Sequence, residues 1–382
     1  GHNVSVTDYA HTLYIRASWT DFNPQEDVYG WKIDSNLRAY IEGAYQRNMR
    51  LAFRVVVDSR DKRTEFTPQF VKDAGAKGFM NKGKWSPYSD DPVFQKYYTK
   101  FVKALAKDFN DPSKVEFIDG FGLGKWGEYH TMIYSTGDDT PKKAVFDWVT
   151  DIYSQAFDKV PVVINYHRWI GAGKDWVDDE HFAADSEEML EEAIKKGYSL
   201  RHDAFGMTTY YGSWERRFAK KYRNICPIIM EGGWIVKSHS YWQDPRGYRK
   251  DSHEDVRRGE FDDSKEAHVN MMDFRFGDTE SWFKDAFDLV RRFLREGGYR
   301  LYPSEISLPL EVSKKTTPTI KHCWNNLGWG YCPTNIPQWN QKYKVAFALL
   351  DSETNEVRYT FVDTNTDLSK WIKGSPAEYV FE

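Results

Sequence analysis

The strongest constraint on the fold is a slow alternation of short, nearly continuous apolar runs with longer amphipathic segments. The runs are LYIRASW (13–19), LAFRVVV (51–57), VEFIDGFGLG (115–124), VPVVINY (160–166), HDAFGMTTY (202–210), CPIIMEGG (226–233) and HVNMMDFRFG (268–277). They are rich in Val, Ile and Phe, which is how parallel strands covered on both faces read. Helical patterns lie between them. In 91–109, Phe94, Tyr98, Phe101 and Leu105 fall on one stripe, and Pro92 suits the first turn. Residues 35–48, 142–157, 186–196 and 282–296 pattern similarly, with Gly297 and Gly298 as a stop after the last.

Seven such strands with interleaved helices predict an α/β fold, a (β/α)8 TIM barrel. An open doubly wound sheet would carry a glycine-rich phosphate turn after its first strand. Here TDFNPQEDVYGW follows LYIRASW instead. The count is one strand short of eight, so a further strand is expected in NVSVTD or upstream of it. After residue 297 the pattern changes. RLYPSEISLPLEV, TPTIKHCW, KYKVAFALLD and VRYTFVD alternate apolar with polar residues, and DSETNE reads as a turn. The expected division is a barrel over 1–297 and a small C-terminal antiparallel β-sandwich domain over 298–382.

Composition removes whole classes of function. The net charge is −4 and no basic run exists, which argues against nucleic acid as a partner. No apolar stretch is long enough for a membrane span. Aromatic content is high, with 15 Trp, 24 Tyr and 24 Phe. Such rings either fill a barrel core or line a cleft as flat faces on which the C–H face of a sugar stacks. Cys226 reads as a buried strand thiol, while Cys323 and Cys332 would close a local disulfide in an exported protein. No Cys/His spacing suits a structural metal. The first residues, GHNV, read as no signal sequence. Oligomeric state leaves no trace in the sequence.

In a barrel the reacting groups sit at the C-terminal ends of strands. Glu128 follows the third run, with Trp126, Tyr129 and His130 around it, and Glu231 ends the sixth, beside Trp234. Other groups at strand ends include Arg16, Arg54, Asp58, His167, Arg168, Tyr210, Tyr211, Trp214, Asp273 and Arg275. Two carboxyl groups across a barrel mouth are what glycosidic hydrolysis needs: one protonates the leaving oxygen, and the other attacks the anomeric carbon or activates water. The plainer reading is that either Glu pairs with a neighbouring Arg, Arg54 and Arg16 being the candidates. His130 reads as a site residue or a helix-capping one, and Asp119 as a buried supporting group. Asp273 and Arg275 either pair along their strand or contact substrate. The acidic stretch 175–192 fits no metal-loop spacing and reads as a solvated loop entering a helix.

These residues carry a resemblance. YIRASWTDFNPQEDVYGWKID resembles the early barrel strand and loop of clan A glycoside hydrolases, especially family 42 β-galactosidases, although Asn23 and Asp27 depart from that loop pattern. FGLGKWGEYH is similar to the Gly-x-Gly-x-Trp-Gly-Glu-x-His block of a bacterial barrel-plus-sandwich family of unknown function, through Gly122, Gly124, Trp126, Gly127, Glu128 and His130. Pro227–Glu231, Tyr299–Leu301 and Trp324–Gly328 match further motifs of that family, so the resemblance runs from about residue 13 to 365. It implies a carbohydrate substrate, no cofactor, and an exported enzyme. It further implies Glu128 as acid/base at the end of strand four and Glu231 as nucleophile at the end of strand seven. Trp126, Tyr129, Trp169, Tyr210, Tyr211, Trp214 and Trp234 are then candidate sugar walls, and Arg54 and His167 candidate hydroxyl contacts. Clan A enzymes place Asn before the acid/base, whereas this chain has Gly127. The resulting expectation is a retaining β-glycoside hydrolase, with a non-catalytic carbohydrate-binding protein on the same barrel as the alternative.

Overall fold

The structure, a computed structural model, describes residues 5–60, 62, 64–173, 180–207, 210–233, 253–274, 281–313 and 315–382. By compactness it divides into two units, one of residues 1–218 and 233–241, the other of 219–232 and 242–382. In the first unit the strands are β1 (Thr12–Ser18), β2 (Arg50–Val56), the hairpin β3 (Gly78–Asn81) and β4 (Lys84–Pro87), β5 (Val115–Asp119), β6 (Val162–Asn165) and β7 (Tyr198–Phe205). Strands β1, β2, β5, β6 and β7 pair in parallel in sequence order, with no reversal. Helices return the chain between them, as right-handed βαβ connections require. The second unit adds β8 (Ile228–Gly232) and β9 (Met271–Asp273), again parallel. Seven parallel strands alternating with helices make this an α/β protein of the (β/α) barrel kind.

The helix at Pro92–Phe109 forms as its pattern predicts. Asp91 caps it, its side chain accepting from the Phe94 amide, and Pro92 occupies the first turn. Its apolar stripe surrounds Trp19, which is fully buried with Phe94, Tyr98 and Phe101 at 5.2–6.0 Å between ring centres. Many of the aromatic residues are therefore core. Of NVSVTD, where a further strand was expected, Asn3 and Val4 lie outside the described residues and Val6–Asp8 is a 3₁₀ turn. The run at 202–210 pairs four residues earlier than its apolar limits suggest, because Met207 starts a turn that receives amides from Tyr210 and Tyr211.

From residue 301 pairing becomes antiparallel, giving β10 (Leu301–Ser307), β11 (Ile320–Asn326), β12 (Val345–Leu350), β13 (Val357–Asp363) and β14 (Ala377–Phe381). One sheet orders β10-β11-β14 and the other pairs β12 with β13. They meet through Phe347, whose ring lies 5.2 Å from His322 and 5.7 Å from Phe381. A buried His322–Asp363 bond of 3.0 Å ties them as well. This is a small β-sandwich. Cys226, Cys323 and Cys332 are all free thiols, so the expected local disulfide is not formed. Among the described residues no helix is long and apolar enough to cross a membrane.

Candidate active site

Parallel register decides which side chains of the first unit share a face. Arg16 of β1 lies opposite Arg54 of β2, and Arg54 opposite Asp119 of β5. Asp119 is opposite Val163 of β6, which is opposite Ser199 of β7. Side chains two residues apart on a strand return to the same face, so Tyr14, Asn165, Arg201 and Asp203 join them.

The contacts confirm this grouping. Arg54 reaches the Asp119 Oδ2 through both Nε and Nη2 at 2.6 Å, and Nη2 lies 2.5 Å from Asp203 Oδ2. Arg201 Nε donates to Asp203 Oδ1 at 3.1 Å, and the Tyr14 hydroxyl to Asp119 Oδ2 at 3.1 Å. Arg201 also lies over the Tyr14 ring at 4.4 Å. Burial alone would raise Asp203, but the charges of Arg54, Arg201 and Arg16 outweigh it and hold the carboxyl far below its usual range. Asp119 is pushed up by burial and by the negative charge of Asp203 against the pull of Arg54.

Glu128 is presented to this network by a loop of unusual backbone. Gly124, Trp126, Gly127, Tyr129 and Thr131 all have φ between 50° and 75°. Three of these are not glycine, each at a cost on the order of 1–3 kcal/mol, and such residues collect at functional sites. Gly122 (φ 79°) has no alternative, since a Cβ there would sit 2.1 Å from the Val55 carbonyl oxygen. Tyr129 anchors the loop: its ring is fully buried against Phe121 and Phe146, and its hydroxyl donates to the Lys142 carbonyl. His167 Nδ1 accepts from the Trp169 amide at 3.1 Å, so Nε2 carries the proton and donates to the Glu128 carbonyl at 2.7 Å.

The Glu128 carboxyl is 6% exposed as a residue and meets three cationic or protonatable groups. Arg54 Nη1 and Arg16 Nη1 lie 3.6 and 3.9 Å from Oε1, and His130 Nε2 lies 3.3 Å from Oε2. The arginine contacts exceed hydrogen-bond length. Glu128 therefore stands in the field of both guanidinium groups without a direct hydrogen bond to the Nη1 of either.

Of the expected site residues, Arg54, Trp126, His130, His167 and Tyr210 gather round Glu128. The His130 ring lies 5.6 Å from Trp126, 5.6 Å from His167 and 5.9 Å from Tyr210. His130 sits on the loop, with Nδ1 3.0 Å from the Thr131 hydroxyl. Trp169 stacks on Tyr210 at 5.4 Å, and Arg168 lies 3.9 Å from the centre of the Trp169 ring. Tyr211 packs on Phe205 and Trp214 on Phe218. Tyr129, Trp169, Tyr210, Tyr211 and Trp214 are all buried in this packing, and only Trp126 among the described candidate walls is partly exposed. In the second unit Glu231 is buried in β8, in register with Asp273 of β9. Trp234 and Arg275 lie outside the described residues. Among the described residues no group of His, Cys, Asp or Glu could hold a metal ion.

Sequence reasoning missed Tyr14, Asn165, Arg201 and Asp203. Their signal is present in β7, where Ser199, Arg201 and Asp203 fall at every second residue, the mark of one polar face.

His202, between two of these charges, faces the other way, against Tyr166 and Tyr211. Its burial, then the charge of His167, pushes it well below the usual histidine value. The folded chain thus keeps it neutral, while the unfolded chain protonates it near about 6.5. Below that pH the unfolded state binds the extra proton, so stability falls with falling pH by up to about 1.4 kcal/mol per unit. His268, lowered to about 4 by burial and then by the charges of Arg223 and Lys373, acts in the same direction. Melting temperatures between pH 7.5 and 5 should drop for the parent and drop less for His202→Gln. Equal slopes would show that this imidazole is not held neutral.

No protein-family model matches the sequence, and no curated protein matches it. Among solved structures, it is similar to endoglycoceramidase II of Rhodococcus sp. (13% identity, TM-score 0.43, 98% of this chain and 90% of that one). It is also similar to the exo-β-1,4-mannosidase Op5Man5 of Opitutaceae bacterium strain TAV5 (12%, 0.42, 73% and 48%). A third is the Pseudomonas stutzeri endoglucanase Cel5A (9%, 0.40, 76% and 83%). Similarity of this degree identifies no shared activity.

Proposed function

We propose that the protein is a glycoside hydrolase that cleaves β-glycosidic bonds with retention, with Glu128 as acid/base. The observation that carries this reading is the left-handed loop 124–131, which holds a nearly buried carboxyl beside Arg16, Arg54 and His130 at the C-terminal end of a parallel strand. Glu231 is the proposed nucleophile because it lies near the C-terminal end of parallel strand β8, as the resemblance implies. In the proposed reaction Glu128 gives its proton to the leaving oxygen while Glu231 attacks the anomeric carbon. Water then cleaves the glycosyl ester, with Glu128 as base. The proposed substrate is an oligo- or polysaccharide, and the proposed location is outside the cytoplasm, where polysaccharides lie.

The test is a panel of 2-deoxy-2-fluoro β-glycosides with good leaving groups. Retention predicts an enzyme whose mass rises by one fluoroglycosyl unit, with the label on the peptide holding Glu231. Turnover of ordinary β-glycosides with no trapped adduct, and with the opposite anomer released first, would establish inversion instead. A non-catalytic sugar-binding protein is the second reading. It is favoured by Gly127, which stands where clan A enzymes place the amide that contacts the sugar. That reading predicts sugar binding without turnover in the parent protein.

A further inference from the structure

Asn165 is the last residue of β6, at the C-terminal end of the strand. It is 2% exposed, and among the described residues neither its Nδ2 nor its Oδ1 has a hydrogen-bond partner. A buried amide left unsatisfied on both atoms is unfavourable, and an apolar side chain of similar volume would avoid the cost. The register places it opposite Arg201, on the charged face that carries Arg54, Asp119 and Asp203. Two residues later His167 holds the Glu128 carbonyl at 2.7 Å. The orphaned amide thus belongs to the segment that also fixes the acid/base loop. Ser199 Oγ also lacks a partner among the described residues, but it lies one row deeper, level with Val163.

An amide presents one donor and one acceptor side by side, which matches a hydroxyl that accepts and donates at once. We infer that Asn165 is a specificity-determining residue that binds a hydroxyl of the sugar, a contact that Gly127 has no side chain to make. The inference rests on the glycosidase reading above and names a substrate contact within it. A site whose buried polar group is satisfied only by a hydroxyl rejects the analogue that lacks it, because the group is then left unpaired.

The experiment uses the full chain with 4-nitrophenyl β-glycosides and their monodeoxy analogues. At one ring position the parent should prefer the hydroxylated substrate by about 100-fold or more in kcat/KM. Asn165→Ala should reduce that preference to about threefold or less. Asn165→Leu gives an independent check, since an unsatisfied amide replaced by an apolar group should melt no earlier than the parent, whereas an amide bonded inside the protein would be missed. Should the parent bind sugars without cleaving them, the same ratios are read from Kd. Unchanged discrimination at every ring position in Asn165→Ala overturns this inference and leaves the glycosidase reading standing. So does a sugar complex in which Asn165 holds only a water. A parent that neither binds nor cleaves any of the panel overturns both.

Discussion

Glu128→Gln should lower kcat/KM on glycosides with poor leaving groups by about 10²–10⁴-fold, the usual reach of a positioned acid. The amide cannot give a proton to the departing oxygen, yet it keeps the shape of the carboxyl and the bond from His130 (3.3 Å to Oε2 in the parent). A dinitrophenyl leaving group needs no proton, so bond cleavage on that substrate should fall far less. The second step would still be slow without a base, and azide, which needs none, should restore turnover and yield a glycosyl azide. Circular dichroism should not change. An equal loss on both leaving groups would mean that Glu128 binds or supports rather than protonates, and no loss on either would remove it from the reaction.

Arg54→Met should be the most damaging single change to the fold. Arg54 is fully buried and reaches Asp119, Asp203 and Glu128 at 2.6, 2.5 and 3.6 Å. Removing it leaves Asp119 and Asp203 buried together with Arg201 beside them and the charge of Arg16 farther off, and breaking a buried ion pair from one side costs about 3–5 kcal/mol. Arg54→Lys should recover only part of this, because a single ammonium cannot serve through both Nε and Nη2 as the guanidinium does. Adding Asp119→Asn to Arg54→Met should recover more than additivity allows, since it removes one of the stranded charges. Denaturant unfolding of the parent, Arg54→Met, Arg54→Lys, Asp119→Asn and the double variant measures all of these. A loss under about 1 kcal/mol in Arg54→Met would mean that water already reaches the cluster and the pairs are worth what surface pairs are worth.

Much of this was legible in the sequence for a physical reason. Doubly covered parallel strands must be apolar throughout, so the runs at 13–19, 51–57 and 160–166 stand out and coincide with β1, β2 and β6. That Arg54 and Arg16 would neighbour Glu128 was legible, because all three belong to adjacent parallel strands or the loops that follow them. The strained loop was not: Gly122, Gly124 and Gly127 hint at left-handed backbone, but nothing local announces it at Trp126, Tyr129 or Thr131. Arg201 and Asp203 were hidden by their apolar neighbours, since the polar face of β7 is only half of a run that is buried at every residue. Asn165 was hidden because whether an amide is satisfied depends on partners from other strands. The hairpin β3–β4 was missed because four-residue strands carry too little periodicity to register.

The charged face beneath Glu128 also bears on speed. In water, a group that changes its charge must wait for surrounding molecules to turn, and that turning is a large part of the barrier. Here Arg54, Arg201, Asp119 and Asp203 are tied to one another and to the sheet, so their dipoles and charges already point one way. They behave as a solvent that has been frozen in place. In the proposed reaction, charge that develops beside this face meets surroundings that have no need to move.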